Sequence, residues 1–113
     1  MALRLCRTDE LAEGEARGFV FGAGQDRRAV FVLRQGGAVR AYVNSCPHQG
    51  TSLEIFPDRF FDALGRYLIC RTHGALFRPE DGFCVAGPCA GKSLAPAAIR
   101  VADGTIWLKD EES

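Results

Sequence analysis

The chain has two histidines, His48 and His73, and each lies within three residues of a cysteine. The pairs are Cys46-Pro47-His48 and Cys70-Arg71-Thr72-His73, with twenty-one residues, Gln49 to Ile69, between His48 and Cys70. Glycine follows each pair, Gly50 after one intervening residue and Gly74 directly. Its freedom at positive φ lets a backbone turn tightly or approach a bulky ligand. Each pair ends an expected strand, so the chain leaves each strand through a loop carrying one soft sulfur and one nitrogen ligand. A sequence that places both of its histidines beside cysteines has metal binding as the first chemistry to test.

The rest of the chain reads as short strands joined by tight turns. Leu3 to Arg7 has the pattern of an edge strand, followed by a brief capped turn at Thr8-Asp9-Glu10-Leu11 and an apolar stretch at Phe19-Val20-Phe21. Arg28 to Arg34 and Ala38 to Asn44 are rich in β-branched and aromatic residues, and Gly36-Gly37 between them signals a hairpin. A second hairpin is expected from Ala75 to Arg78 through Pro79-Glu80-Asp81-Gly82 to Phe83–Ala86. A third joins Ile99–Ala102 to Thr105–Lys109 through Asp103-Gly104, a dipeptide suited to a type I′ turn because both central residues need positive φ. Thirteen glycines and five prolines fit many turns and few helices. Glu10 to Arg17 and Phe56 to Leu64 each have room for a turn or two of helix. The expected fold class is all-β, with small sheets, and the acidic end, Asp110-Glu111-Glu112-Ser113, reads as a solvated tail.

Composition excludes several functional classes. At 113 residues the chain has the length of one domain, and 47% hydrophobic with 25% charged residues is ordinary globular composition. Fourteen basic and fourteen acidic side chains cancel, so no large net field draws it to nucleic acid or an anionic membrane. The longest strictly apolar run, Ala29 to Leu33, is far short of a membrane span. The first residues, Met1 to Asp9, contain no signal-peptide core, and a cytoplasmic location is expected. Five cysteines, an odd number, in such a compartment argue against a disulfide framework. Cys6, Cys84 and Cys89 read as small buried hydrophobes, with no sign that Cys84 and Cys89 pair. A histidine-activated cysteine nucleophile lacks a third, orienting group.

Two kinds of metal site fit the paired residues. A single zinc with two cysteines and two histidines usually takes its cysteines as one pair and its histidines as another. Here both loops are mixed, which suits a two-iron object between them, each loop sending its cysteine to one iron and its histidine to the other. The stretches Cys46-Pro47-His48-Gln49-Gly50 and Cys70-Arg71-Thr72-His73-Gly74 closely resemble the two ligand boxes of the Rieske family. The resemblance continues through Gly87-Pro88-Cys89, similar to that family's proline-bearing loop over the cluster, to the Asp103-Gly104 hairpin, and so covers most of the chain. The interval between the boxes is a few residues longer than in typical small Rieske ferredoxins. A surface excursion near Phe56-Pro57-Asp58-Arg59-Phe60-Phe61 is expected to hold the extra length.

The resemblance implies a single Rieske domain over 1–113, with a cluster-binding part at approximately 45–90 and a fold of small antiparallel sheets. It implies a [2Fe–2S] cluster on Cys46, His48, Cys70 and His73, with the histidine rings as the exit for electrons. Leu53, Phe77, Phe83 and Pro88 are expected as an apolar collar, although core packing explains the first three equally well. Quinol-oxidising members carry extra cysteines at positions matching Thr51 and Thr72, and hydroxyl donors at positions matching Ala75 and Phe77. This chain has neither the disulfide nor the hydroxyls, and fewer donors imply a potential in the low part of the Rieske range. The implied role is that of a one-electron carrier, not an enzyme, passing electrons from a flavin reductase to a terminal oxygenase. A mononuclear oxygenase iron normally needs two more histidines and a carboxylate, and both histidines are already used. Two other readings stay open: a Rieske subunit or redox sensor of a nitrite-reductase-like complex, and a structural zinc-binding module.

Overall fold

The longest apolar run lies in a strand buried on both sides. In the computed structural model, which describes residues 2–22, 24, 28–47, 53, 58–72 and 74–109, strand β3 spans Arg28–Gln35, and Val30, Phe31, Val32 and Leu33 are all buried. Alternating side chains of a strand point to opposite faces. Phe31 and Leu33 accordingly enter one hydrophobic core, and Val30 and Val32 enter another. Burial on both faces explains an unbroken apolar run where a one-sided strand would alternate.

Among the described residues the strands form three antiparallel sheets of three. The central sheet joins β2 (Ala16–Phe21), β3 and β4 (Ala38–Val43), with β3 in the middle. On one of its faces lies the sheet of β1 (Ala2–Arg7), β9 (Thr105–Lys109) and β8 (Ile99–Ala102). Leu5, Leu11, Ile106 and Leu108 pack there with Val30, Val32 and Ala41. On the other face the sheet of β5 (Leu68–Cys70), β6 (Ala75–Phe77) and β7 (Cys84–Ala86) contributes Leu68, Cys70, Ala75, Phe77 and Cys84 to the core around Phe31.

The hairpin signals are realised. Asp103 and Gly104 both have positive φ, 53° and 75°, between β8 and β9, and Gly36 and Gly37 do the same between β3 and β4 at 64° and 79°. β1 is an edge strand, as its sequence suggests. The capped turn is a 3-10 turn over Thr8–Glu10, in which the Arg7 N–H donates to Glu10 Oε1 at 2.9 Å. Most of the Glu10–Arg17 stretch is irregular, ending in β2, and 58–64 has no helix. Among the described residues no helix is long and apolar enough to cross a membrane. The acidic tail lies outside the described residues, as do Phe56 and Pro57.

One expectation needs correction. The inserted stretch is not a plain surface excursion, because Phe60 is fully buried. Its ring stacks on Phe31 with centroids 4.2 Å apart and planes 12° from parallel. Phe61 bridges to Leu68, and the Ile69 N–H donates to the Phe60 carbonyl at 2.9 Å. Only Asp58 and Arg59 of its described part face solvent, and Asp58 Oδ1 accepts from the Gly18 N–H at 2.8 Å. An aromatic ring contributes more by filling the core than by lying on the surface, and that gain drives the inserted chain inward.

Phe60→Ala is expected to cost about 3–5 kcal/mol of stability by leaving a cavity against Phe31. Arg59→Ala, on the exposed side of the same stretch, should stay within about 0.5 kcal/mol of the parent. Urea midpoints of the three proteins give the comparison, and equal midpoints for Phe60→Ala and Arg59→Ala would contradict the assignment of Phe60 to the core.

Candidate metal centre

Cys70 stands at the end of β5, where the β5–β6 hairpin turns. Cys70 ends β5 and pairs with Ala75, the first residue of β6. The Gly74 N–H donates to the Cys70 carbonyl at 2.7 Å, with Gly74 at φ 76°, where β6 begins. Cys70, Ala75, Leu68 and Phe77 share the buried face of this sheet, and Cys84 joins them opposite Phe77. Strand alternation therefore aims the Cys70 thiol into the interior.

The first box follows β4. The Asn44 N–H donates to the Ala29 carbonyl at 2.9 Å, so the chain is still tied to the central sheet as it enters the loop. Cys46 is buried two residues later, at 2% exposure. Leu53 then joins the two boxes. Its N–H donates to Asn44 Oδ1 at 2.9 Å, and its carbonyl accepts from the Arg71 N–H at 2.8 Å. One residue thus closes the first loop on itself and fastens it to the second, while its side chain is fully buried. The Arg71 guanidinium adds a bond to the Phe61 carbonyl at 3.0 Å.

A third loop lies beside them. After β7 the chain turns through Gly87-Pro88-Cys89, and the Lys92 N–H donates to the Cys89 carbonyl at 2.9 Å while the Cys84 N–H donates to the Lys92 carbonyl at 2.8 Å. Gly87 has φ 97°, and a Cβ there would sit 2.7 Å from the Ala75 Cα. Glycine is required because the loop's backbone lies directly on β6.

Cys46 and Cys70 belong to one buried cluster, which also holds Cys84 and Cys89. None of the five cysteines is in a disulfide. The Cys89 thiol donates to Cys84 Sγ at 3.5 Å, and the Cys84 thiol donates to the Ala86 carbonyl at 3.2 Å. Burial pushes the Cys89 pKa up to about 12, reinforced by the hydrogen bond and charge of Cys84 and then by those of Cys46. Cys6 lies apart, in the core beneath β1, where burial also raises its pKa. Sequence reading does not bring Cys84 and Cys89 to the centre; the available signal is a pair of cysteines flanking the Gly87-Pro88 turn.

Of the four expected ligands, Cys46 and Cys70 are thus brought into one core, while His48 and His73 lie outside the described residues, with Gln49, Gly50 and Thr51. Of the expected collar, Leu53 and Phe77 are core residues, whereas Phe83 and Pro88 are exposed. Among the described residues no three cysteine or carboxylate side chains are placed to hold an ion, so the buried cysteines alone do not form an all-thiolate site. Two buried thiols, neither in a disulfide, on loops fastened together suit a metal group that takes part of its ligands as sulfur and the rest from elsewhere in the loops.

The sequence matches the Rieske [2Fe–2S] domain over residues 1–103. The chain belongs to that family. Its cofactor is accordingly a [2Fe–2S] cluster. The structure is similar to the ferredoxin of carbazole 1,9a-dioxygenase from Nocardioides aromaticivorans, with a TM-score of 0.72 and 24% identity over 98% of this chain and 99% of that one. It is similar also to the Sphingomonas yanoikuyae ferredoxin, with a TM-score of 0.71 and 23% identity over 97% and 99% of the two chains. A third likeness is to a chain in the complex of reduced oxygenase and oxidized ferredoxin in carbazole 1,9a-dioxygenase, with a TM-score of 0.74 and 21% identity over 99% and 95%. At these identities the likeness is one of fold, and it agrees with the all-β reading. No curated protein matches the sequence.

Gly87→Ala forces the third loop away from Ala75 and is expected to lower both the melting temperature and the iron retained per chain. Gly91→Ala has comparable backbone strain at φ 90° but no atom within 4 Å of the added methyl, so it should lose less of both. Iron analysis and thermal melting of the two variants make the test, and equal losses would mean that contact with β6 is unimportant.

Proposed function

We propose that this protein is a cytoplasmic one-electron carrier whose [2Fe–2S] cluster is held by Cys46, His48, Cys70 and His73 within a cluster-binding part at about 45–90. The reading rests on one observation: Leu53 fastens the Cys46 loop to the Cys70 loop, with both thiols buried and neither in a disulfide. Membership of the Rieske family supports sulfur ligation of one iron by Cys46 and Cys70, and imidazole ligation of the other by His48 and His73.

When bound, the cluster supplies reversible one-electron exchange. The chain's own residues set the conditions for it. Cys46 and Cys70, as thiolates, bring two negative charges that offset the charge left by two ferric ions and two sulfides. Neutral imidazoles from His48 and His73 would add none, so this ligand set would leave the oxidised group neutral and favour its reduction more than four thiolates would. Leu53, Phe77 and Ala75 keep water from the buried side. Ala75 and Phe77 carry no hydroxyl to donate to sulfur, which favours a potential in the lower part of a range of roughly −150 to +300 mV.

The carbazole dioxygenase structures pair a ferredoxin of this fold with an oxygenase. By that analogy the partners here are a flavin reductase as donor and a terminal oxygenase as acceptor. Substrate chemistry then belongs to the oxygenase, since both histidines of this chain serve the cluster.

Purified protein is expected to carry two irons and two acid-labile sulfides per chain, and to give a Rieske-type EPR signal after dithionite reduction. His48→Ser and His73→Ser should each abolish or reshape that signal. A redox titration should give a midpoint in the lower half of the range. One zinc per chain without sulfide would replace this reading with a structural zinc module, and a midpoint near the upper limit would refute the low-potential assignment.

A further inference from the structure

Two thiols of the core take no part in the proposed ligand set. Cys84 and Cys89 are each 1% exposed, and the Cys89 thiol donates to Cys84 Sγ at 3.5 Å. The chain around them keeps the sulfurs together. Cys84 lies in β7, where its N–H donates to the Lys92 carbonyl at 2.8 Å and its carbonyl accepts from the Gly91 N–H at 3.2 Å. The Lys92 N–H in turn donates to the Cys89 carbonyl at 2.9 Å, and Gly87, between the two cysteines, lies against Ala75. A disulfide needs its sulfurs about 2.05 Å apart, so closing this contact takes about 1.5 Å, shared between two side chains. Cys6 belongs to the other core and does not compete.

We propose that Cys84 and Cys89 form a dithiol that hydrogen peroxide converts to a disulfide, closing residues 84–89 into a covalent ring that holds the third loop on β6. The bond differs in place from the disulfide of quinol-oxidising Rieske proteins, whose cysteines match Thr51 and Thr72. Cys89 reacts first, because its neighbours Pro88 and Ala90 are exposed and the turn can open to peroxide, whereas Cys84 is held in a strand. Burial raises the Cys89 pKa, so attack waits on that opening and the conversion is slow. The Cys89 sulfur attacks one peroxide oxygen, the O–O bond breaks, and the thiol proton leaves with the other oxygen as water. The Cys84 sulfur then displaces the hydroxyl of the Cys89 sulfenic acid. An S–S bond forms, the S–O bond breaks, and the Cys84 proton leaves with the hydroxyl as a second water. The two sulfurs give up two electrons in all, and the peroxide takes both. No proposed iron ligand enters the reaction, so it stands apart from the assignment of the cluster.

The test exposes the purified holoprotein to hydrogen peroxide, quenches it with catalase, and unfolds it in iodoacetamide before digestion with trypsin. The tryptic peptide over 72–92 contains Cys84 and Cys89 and no other cysteine. After peroxide it should appear without alkylation and lighter by two hydrogens, and dithiothreitol should return both thiols to the alkylated form. In Cys84→Ala the reaction should stop at the sulfenic acid, so dimedone should label Cys89; in Cys89→Ala the peptide should stay alkylated at Cys84. Oxidation of the parent should raise its melting temperature by about 5 °C, and neither alanine variant should show the rise. Full alkylation of both thiols, at an exposure that exhausts added glutathione, would overturn the proposal. So would Cys89 found joined to Cys46 or Cys70, or an oxidised parent that melts no higher than the reduced one.

Discussion

Phe31 and Val32 are neighbours in the chain, yet their side chains enter different hydrophobic cores. The other two sheets each have one face to bury, and β3 with β4 offers them a surface on either side. Val32 pairs with Ala41 on the side of the terminal strands, and Phe31 pairs with Tyr42 on the side of the cysteines. A register slip of one residue would exchange these sets, placing small side chains where rings are needed. The position of the metal centre therefore depends on a strand pairing that contains none of its ligands.

From that surface the centre is assembled with few interactions. Asn44 is the only buried polar or charged residue among those described. Leaving its side chain unpaired in the core would be costly, and its bond to Leu53 both satisfies it and closes the first loop. The Leu53 carbonyl then reaches Arg71 in the second loop. The Leu53–Asn44 bond is buried in the core region that also buries the thiols. A hydrogen bond so protected competes little with water and holds geometry well. Hydroxyl donors are lacking at Ala75 and Phe77, but the turn after β7 brings a thiol to the same core.

The sequence by itself determined the pieces whose causes are local. Two mixed Cys/His boxes state their chemistry through residue type and spacing, and the Gly36-Gly37 and Asp103-Gly104 turns state theirs through the positive φ they require. Short strands of β-branched and aromatic residues made the all-β class legible for the same reason. What depended on contacts between distant residues was decided only in three dimensions. Phe60 looks like part of a surface insertion until Phe31, twenty-nine positions earlier, offers it a ring to stack on. Leu53 reads as one more apolar residue until its backbone is found between Asn44 and Arg71. Cys84 and Cys89 read as inert small residues until the turn at Gly87, pressed against Ala75, sets their sulfurs together in the core that holds Cys46. Composition and periodicity describe what a residue prefers, whereas these roles come from which partner the folded chain places within reach.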